Sequence, residues 1–162
     1  MKQENVIYRR AKEDDFESIY SIWLNGIGYT FSDFTIPENL KEEFYNVFLQ
    51  REGYFDFWIA VVGKNIVTAY CSILPCTLNP IKKDTIGELS IYSIKNSLAS
   101  SNALSLMSFV IQELKNSPVQ HLIAFSRNDN LKGINILERV GFTIDEPLKF
   151  PNYSKSILSM TV

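Results

Sequence analysis

Two cysteines and a single histidine are the only thiol and imidazole groups in this 162-residue sequence. Cys71 and Cys76 are too few for a disulfide framework, and with His121 alone beside them they do not make a zinc site. They read as reduced thiols in a core or cleft, and no metal is expected. One histidine also argues against a Ser-His-Asp or Cys-His relay. No surplus of positive charge is present: 16 Lys and Arg face 18 Asp and Glu, for a net charge of −2 and a pI near 5.5. Binding to nucleic acid or to an anionic membrane through a global field is therefore not expected. Arg9-Arg10 and Lys82-Lys83 read as solvated pairs. No apolar run approaches the length of a membrane span, and Met1 to Asn5 does not open a signal peptide, so the expected location is cytoplasmic.

What the sequence does hold is a core. Apolar residues make up 46% and aromatics 13%, which suits one domain over residues 1–162. Val6 to Arg10 alternates as a strand. Asp14 and Asp15 start a helix with Phe16, Ile19, Tyr20 and Trp23 at helical spacing, and Gly26 and Gly28 are expected to end it. An aromatic loop, Tyr29 to Phe34, follows. A second helix is expected from about Thr35, with Pro37 in its first turn and Leu40, Phe44, Val47 and Phe48 on one face. Phe57 to Val62 and Ile66 to Leu74 form a hairpin around Gly63-Lys64-Asn65. Pro75 to Thr85 reads as a loop. Later come a helix to about Leu114, a strand from Val119 to Phe125, a helix from Asn130 to Val140 closed by Gly141, and strands at Phe142 to Ile144 and Ser156 to Val162. The order is α+β, with antiparallel strands first and a crossover helix later.

The stretch from Gly87 to Leu106 organises the rest. It reads as a strand (Gly87 to Ile94) carrying Glu88, a small-residue turn (Asn96 to Asn102), and the opening of a helix. A strand running through such a turn into a helix offers backbone N–H groups to a phosphate-bearing ligand. The same pattern also serves as a plain connection.

Four segments together resemble the GNAT acyltransferases, and among them the phosphinothricin-type N-acetyltransferases. They are Glu88-Leu89-Ser90-Ile91-Tyr92; Ser126-Arg127-Asn128-Asp129-Asn130 with Ile134 and Glu138-Arg139-Val140-Gly141-Phe142; Thr30-Phe31; and Trp58-Ile59-Ala60-Val61 with Gly63. The resemblance spans nearly the whole chain, with ungapped spacing from Glu88 to Phe142. It implies an α/β sandwich around a mixed, mostly antiparallel sheet of six to seven strands, with about four helices on its two faces.

The resemblance further implies transfer of an acetyl group from acetyl-CoA to a primary amine of a small molecule or amino acid. Glu88 would be the base. Ile91, Tyr92 and Ser93 would flank the cofactor arm, and Ala99, Ser100, Ser101, Asn102 and Ala103 would stand at the pyrophosphate loop. Asn130 and Asn135 would also touch the cofactor, Asn130 doubling as a helix N-cap. Thr30, Phe31, Thr77 and Tyr92 would meet the acceptor. The chain departs from the family's Gln/Arg-x-x-Gly-x-Gly/Ala loop, with Leu98, Ser101 and Ala103 at its three defining places. Leu137 stands where many members place a Tyr acid. A second reading follows from these departures: a GNAT-type protein that binds or senses acyl-CoA without catalysis. The apolar last strand is compatible with a homodimer.

Overall fold

The computed structural model describes residues 5–30, 35–76, 85–95, 97–149 and 154–162. Seven strands form one sheet in the order β1-β2-β3-β4-β5-β7-β6. In chain order they are β1 (Val6–Arg10), β2 (Asp56–Val62), β3 (Ile66–Pro75), β4 (Ile86–Ser93), β5 (His121–Arg127), β6 (Thr143–Lys149) and β7 (Ser154–Thr161). The helices are α1 (Phe16–Thr30, entered through a 3-10 turn at Glu13–Asp15), α2 (Leu40–Leu49), α3 (Ser97–Leu114) and α4 (Leu131–Arg139). Every neighbouring pair is antiparallel except β4 and β5, which run parallel. A parallel pair needs a long crossover, and α3 supplies it. The β2–β3 hairpin closes at Gly63 and Asn65, both with positive φ (60° and 119°), as a tight turn demands.

The sheet separates two cores of different chemistry. Alternation along β2 sends Trp58 and Ala60 to one face and Phe57 and Ile59 to the other. The first face packs under α3 and α4 and is mostly aliphatic, with Leu106, Met107, Val110, Leu114, Leu122 and Leu158 at its centre. The second packs under α1 and α2 and is aromatic. Rings meet there at Trp23–Phe44 (4.5 Å), Phe16–Tyr45 (4.7 Å), Phe48–Phe57 (5.2 Å) and Tyr70–Tyr92 (5.5 Å).

Four boundaries differ from those expected of the sequence. α1 continues through Gly26 and Gly28 to Thr30; tertiary packing outweighs the modest helix penalty of glycine. α2 begins at Leu40 rather than near Thr35. Pro37 precedes it in a turn closed by Leu40 N–H donating to Pro37 O at 3.2 Å. Residues 97 to 102, expected as a turn, are the first turns of α3. β6 runs on through Asp145, Glu146 and Pro147 to Lys149, with a register shift between Ile144 and Glu146. As the outermost strand of the sheet, β6 tolerates that bulge and that proline. Gly141 has φ 108° and closes α4 as its sequence position suggested.

Candidate active site

β4 and β5 pair over only three positions, Ile86 with His121, Gly87 with Leu122 and Glu88 with Ile123. Gly87 sits at the closed end. A Cβ there would lie 2.7 Å from Ile73 and 3.1 Å from Leu122, so only glycine lets the two strands meet so tightly. Past Glu88 the strands part. β4 keeps its ladder to β3 as far as Ser93, and β5 keeps its ladder to β7 as far as Arg127, but their facing edges have no strand between them. The fork so formed encloses a cleft of about 470 Å³. Its walls include Leu89 to Ser93 from β4 and Ala124 to Arg127 from β5, with Asn130 and Leu137 from the α4 side. Main-chain groups along such an edge must find partners in water or in a bound molecule. An extended, amide-bearing chain matches that demand.

The two faces of β4 carry different groups into the fork. Leu89 and Ile91 belong to the aliphatic side, whereas Tyr92 packs on the aromatic side. Glu88 and Ser90 share the Tyr92 face by the two-residue period. Burial raises the pKa of the Tyr92 phenol, and the nearby charge of Glu88 raises it further. The phenol is therefore neutral at any physiological pH.

At the start of α4, Asn130 accepts the Gly133 N–H through Oδ1 at 3.1 Å and so caps the helix. Its Nδ2 lies 3.4 Å from Ser126 Oγ. A Cβ on Gly133 would overlap Nδ2, so the glycine is what makes room for the capping amide. The amide still carries a second N–H on Nδ2 for another acceptor. Leu137 is 5% exposed and lines the cleft as an apolar wall, with no acid function.

A second concavity, of about 920 Å³, lies between α3 and α4 and is lined by Ser100, Ser101, Lys132, Asn135 and Arg139 among others. Lys132 Nζ donates to Ser100 Oγ at 2.8 Å, so one cation is fixed against the first turn of α3. Positive charge beside a helix N-terminus favours a phosphate. Lys132 and Arg139 escaped the sequence reading. The available signal was their spacing, which puts both on one stripe of α4.

The sequence-derived site residues thus divide. Ile91, Tyr92, Ser93 and Asn130 line the fork with Glu88 at its closed end, while Ser100, Ser101 and Asn135 line the groove. Ala99, Asn102 and Ala103 are buried on the inner face of α3. Asn102 Nδ2 donates to Thr68 Oγ1 at 3.2 Å, which spends its side chain on β3. Asn102 and Ala103 lie beyond the first turn, where backbone N–H groups bond within the helix. Thr30 ends α1. Phe31 and Thr77, and with them most of the aromatic loop and the Pro75–Thr85 segment, lie outside the described residues. Cys71 and Cys76 are both free and buried, and burial pushes the Cys71 thiol up, so it packs rather than reacts. Among the described residues no helix is long and apolar enough to cross a membrane.

In sequence the chain matches no family profile and no curated protein. In structure it is similar to many solved proteins. A GCN5-related N-acetyltransferase from Kribbella flavida superposes with a TM-score of 0.80 at 12% identity, over 97% of this chain and 98% of that one. A protein provisionally named acetyltransferase from Salmonella typhimurium, solved with its cofactor acetyl-CoA, gives 0.77 at 18% identity, over 97% and 94%. A protein provisionally named phosphinothricin N-acetyltransferase gives 0.76 at 18% identity, over 98% and 99%. The chain has the GNAT fold.

Proposed function

We propose that the protein is an acetyl-CoA-dependent N-acetyltransferase whose acceptor is a small primary amine. The observation that carries this reading is the fork: two parallel strands joined at three positions and then separated, with unladdered edges and a carboxylate at the closed end. The pantetheine arm of acetyl-CoA has the amides and the extended shape to lie along β4 at Ile91 and Ser93. Its phosphates would reach the first turn of α3 and the Lys132–Ser100 pair in the groove. The likeness to GNAT structures, one of them holding acetyl-CoA, supports acetyl-CoA as the co-substrate.

Acetyl-CoA supplies an electrophilic thioester carbonyl and a thiolate leaving group. The chain's own task is to deliver a neutral amine to that carbonyl. An alkylammonium titrates near ~10.4 and an ordinary Glu near ~4.3, so full direct transfer would be uphill by roughly 8 kcal/mol. Glu88 therefore acts through water or on the proton as it is released during attack, when the nitrogen has become far more acidic. Backbone N–H groups on the open edge of β4 serve the oxygen that gains charge. With Leu137 in the wall, no side-chain acid protonates the sulfur there. A thiol near ~8.5 leaves as thiolate at neutral pH for about 2 kcal/mol, which slows the step without stopping it.

Replacement of the loop glycines and the apolar Leu137 favour a second reading, in which the fork binds acyl-CoA without transferring the acyl group. Two measurements separate the readings. Acetyl-CoA at a hundredfold over its Kd should stabilise the protein by about 2.7 kcal/mol, visible as a raised melting temperature; no shift removes both readings. Thiol release across an amine panel should fall roughly 100- to 10,000-fold in Glu88→Gln. Binding without turnover for every amine selects the sensor, and turnover untouched by Glu88→Gln removes Glu88 as base.

A further inference from the structure

Gly26 stands inside α1, where only proline is a poorer helix former. Its place is explained by a contact. A Cβ at Gly26 would overlap the Tyr92 ring at Cδ1 and come within 2.8 Å of Cε1. The missing side chain is what lets α1 lie directly on that ring. On its other side Tyr92 stacks on Tyr70, with centroids 5.5 Å apart and planes at 20°. The ring is thus held from above by a helix backbone and from the β3 side by a second ring, and it still lines the cleft.

Across the fork stands Phe125. Leu122 and Ala124 belong to the aliphatic core, so by alternation Phe125 projects on the same face as Tyr92. It is half-buried and lines the same cleft. Among the described residues the result is an interrupted aromatic row: Tyr70, Tyr92, the open fork, then Phe125. Elsewhere on this face rings pair at 4.5–6.0 Å without a break. Of the described charged groups at the cleft, Arg127 and Asp129 bond to each other, Nε to Oδ1 at 2.8 Å. Glu88 stands at the last paired position of the fork, opposite Ile123.

We propose that the acceptor is a primary amine carried on a flat aromatic group, its ring filling the gap between Tyr92 and Phe125 and its nitrogen directed along β4 toward Glu88. The inference rests on the acetyltransferase reading of the fork and specifies its substrate class. From Glu88 to Tyr92 the strand rises roughly 13 Å. That length accommodates a two- or three-carbon arm and a bridging water, in keeping with the proton path through water. Gly26 and Phe125 are then specificity-determining positions.

The test compares phenethylamine and 3-phenylpropylamine with n-butylamine as acceptors. The wild-type protein should favour the aryl amines at least tenfold in kcat/KM. Phe125→Ala should erase about threefold to tenfold of that preference through KM, and Phe125→Leu should restore part of it. Gly26→Ala should weaken both aryl amines while circular dichroism shows a folded protein, since alanine is the better helix former. Equal use of n-butylamine by the wild type, or an aryl preference unchanged in Phe125→Ala, overturns the inference. Saturation-transfer NMR with phenethylamine reads the same site without catalysis. Aryl-ring binding that is present in the wild type and lost in Phe125→Ala supports the inference even where no thiol is released. That combination would retain the aromatic site and fail the transferase reading. No phenethylamine binding to the wild type fails the inference alone.

Discussion

The two faces of the sheet bury side chains of different kinds. The α3/α4 face is filled mostly by Leu, Ile, Val, Met and Ala side chains, with Trp58 and Phe142 among them, and such aliphatic groups interdigitate without orientation preference. The α1/α2 face is built from rings, whose edges and faces must be matched pair by pair. An aliphatic core seals itself by small rotamer adjustments. A row of rings cannot, and where β4 and β5 part it is left with an open end at Tyr92. The proposed acceptor side of the fork is this aromatic face. On the opposite side α4 meets the cleft with Leu137 and its N-cap Asn130.

The comparison can be broken most forcefully at fully buried positions. Phe48 is 0% exposed and pairs with Phe16 at 5.4 Å and Phe57 at 5.2 Å, so Phe48→Ala should cost about 3–5 kcal/mol in urea unfolding. Leu106→Ala, equally buried on the other face, should cost about 2–5 kcal/mol. The ring-pairing account further requires Phe48→Leu to lose more than Leu106→Met, an exchange that cores usually absorb at under about 1.5 kcal/mol. Equal losses would mean that the rings act only as bulk.

A smaller effect is expected where the aliphatic side turns polar. Asn130→Ala removes the side-chain cap of α4 and should lower stability by about 0.5–2 kcal/mol, measured by thermal unfolding. If Asn130 also touches the cofactor, the acetyl-CoA-induced shift should shrink in the same variant, whereas a cap alone would leave it intact.

The smallest effect belongs to the entry of α1. Arg9 holds Asp15 through both guanidinium nitrogens, at 2.7 and 3.0 Å, and the Lys12 N–H donates to the same carboxylate at 2.7 Å. Burial raises the Asp15 pKa, but these hydrogen bonds and the two positive charges outweigh it and hold the carboxyl below its ordinary value. A depressed folded-state pKa stabilises above the unfolded value of ~3.9, and the contribution is lost as pH falls through the folded one. Asp15→Asn should therefore flatten the acid limb of the stability–pH curve below about pH 4 and change little at pH 7 beyond the loss of the bond itself. Partial exposure of Arg9 keeps the effect modest.

Much of the architecture was legible before any coordinates. Element order, the hairpin at Gly63-Lys64-Asn65, the cap at Gly141 and the face-forming residues of α1 and α3 all follow from local rules that act over a few residues. The errors have physical causes. Gly26 and Gly28 look like stops because helix propensity is local, and they are overridden because α1 must approach Tyr92. The Ser-rich run after β4 looks like a turn because hydroxyl side chains favour caps, yet Ala99, Asn102 and Ala103 are held in helix by burial against the sheet. Phe125 and Lys132 were passed over because nothing in their neighbourhood along the chain marks them.

By itself, then, the sequence determined which segments are strand or helix and which face of each is apolar, since periodicity and turn chemistry are encoded in adjacent residues. It also carried Glu88 and Asn130 at recognisable spacing. Only the tertiary structure decided that β4 and β5 pair at three positions and then diverge. Only it gathered most of the buried rings on one face of the sheet and brought Lys132 to Ser100. These are contacts between residues far apart in the chain. They are set by how whole elements pack, and no local preference for strand or helix reports them.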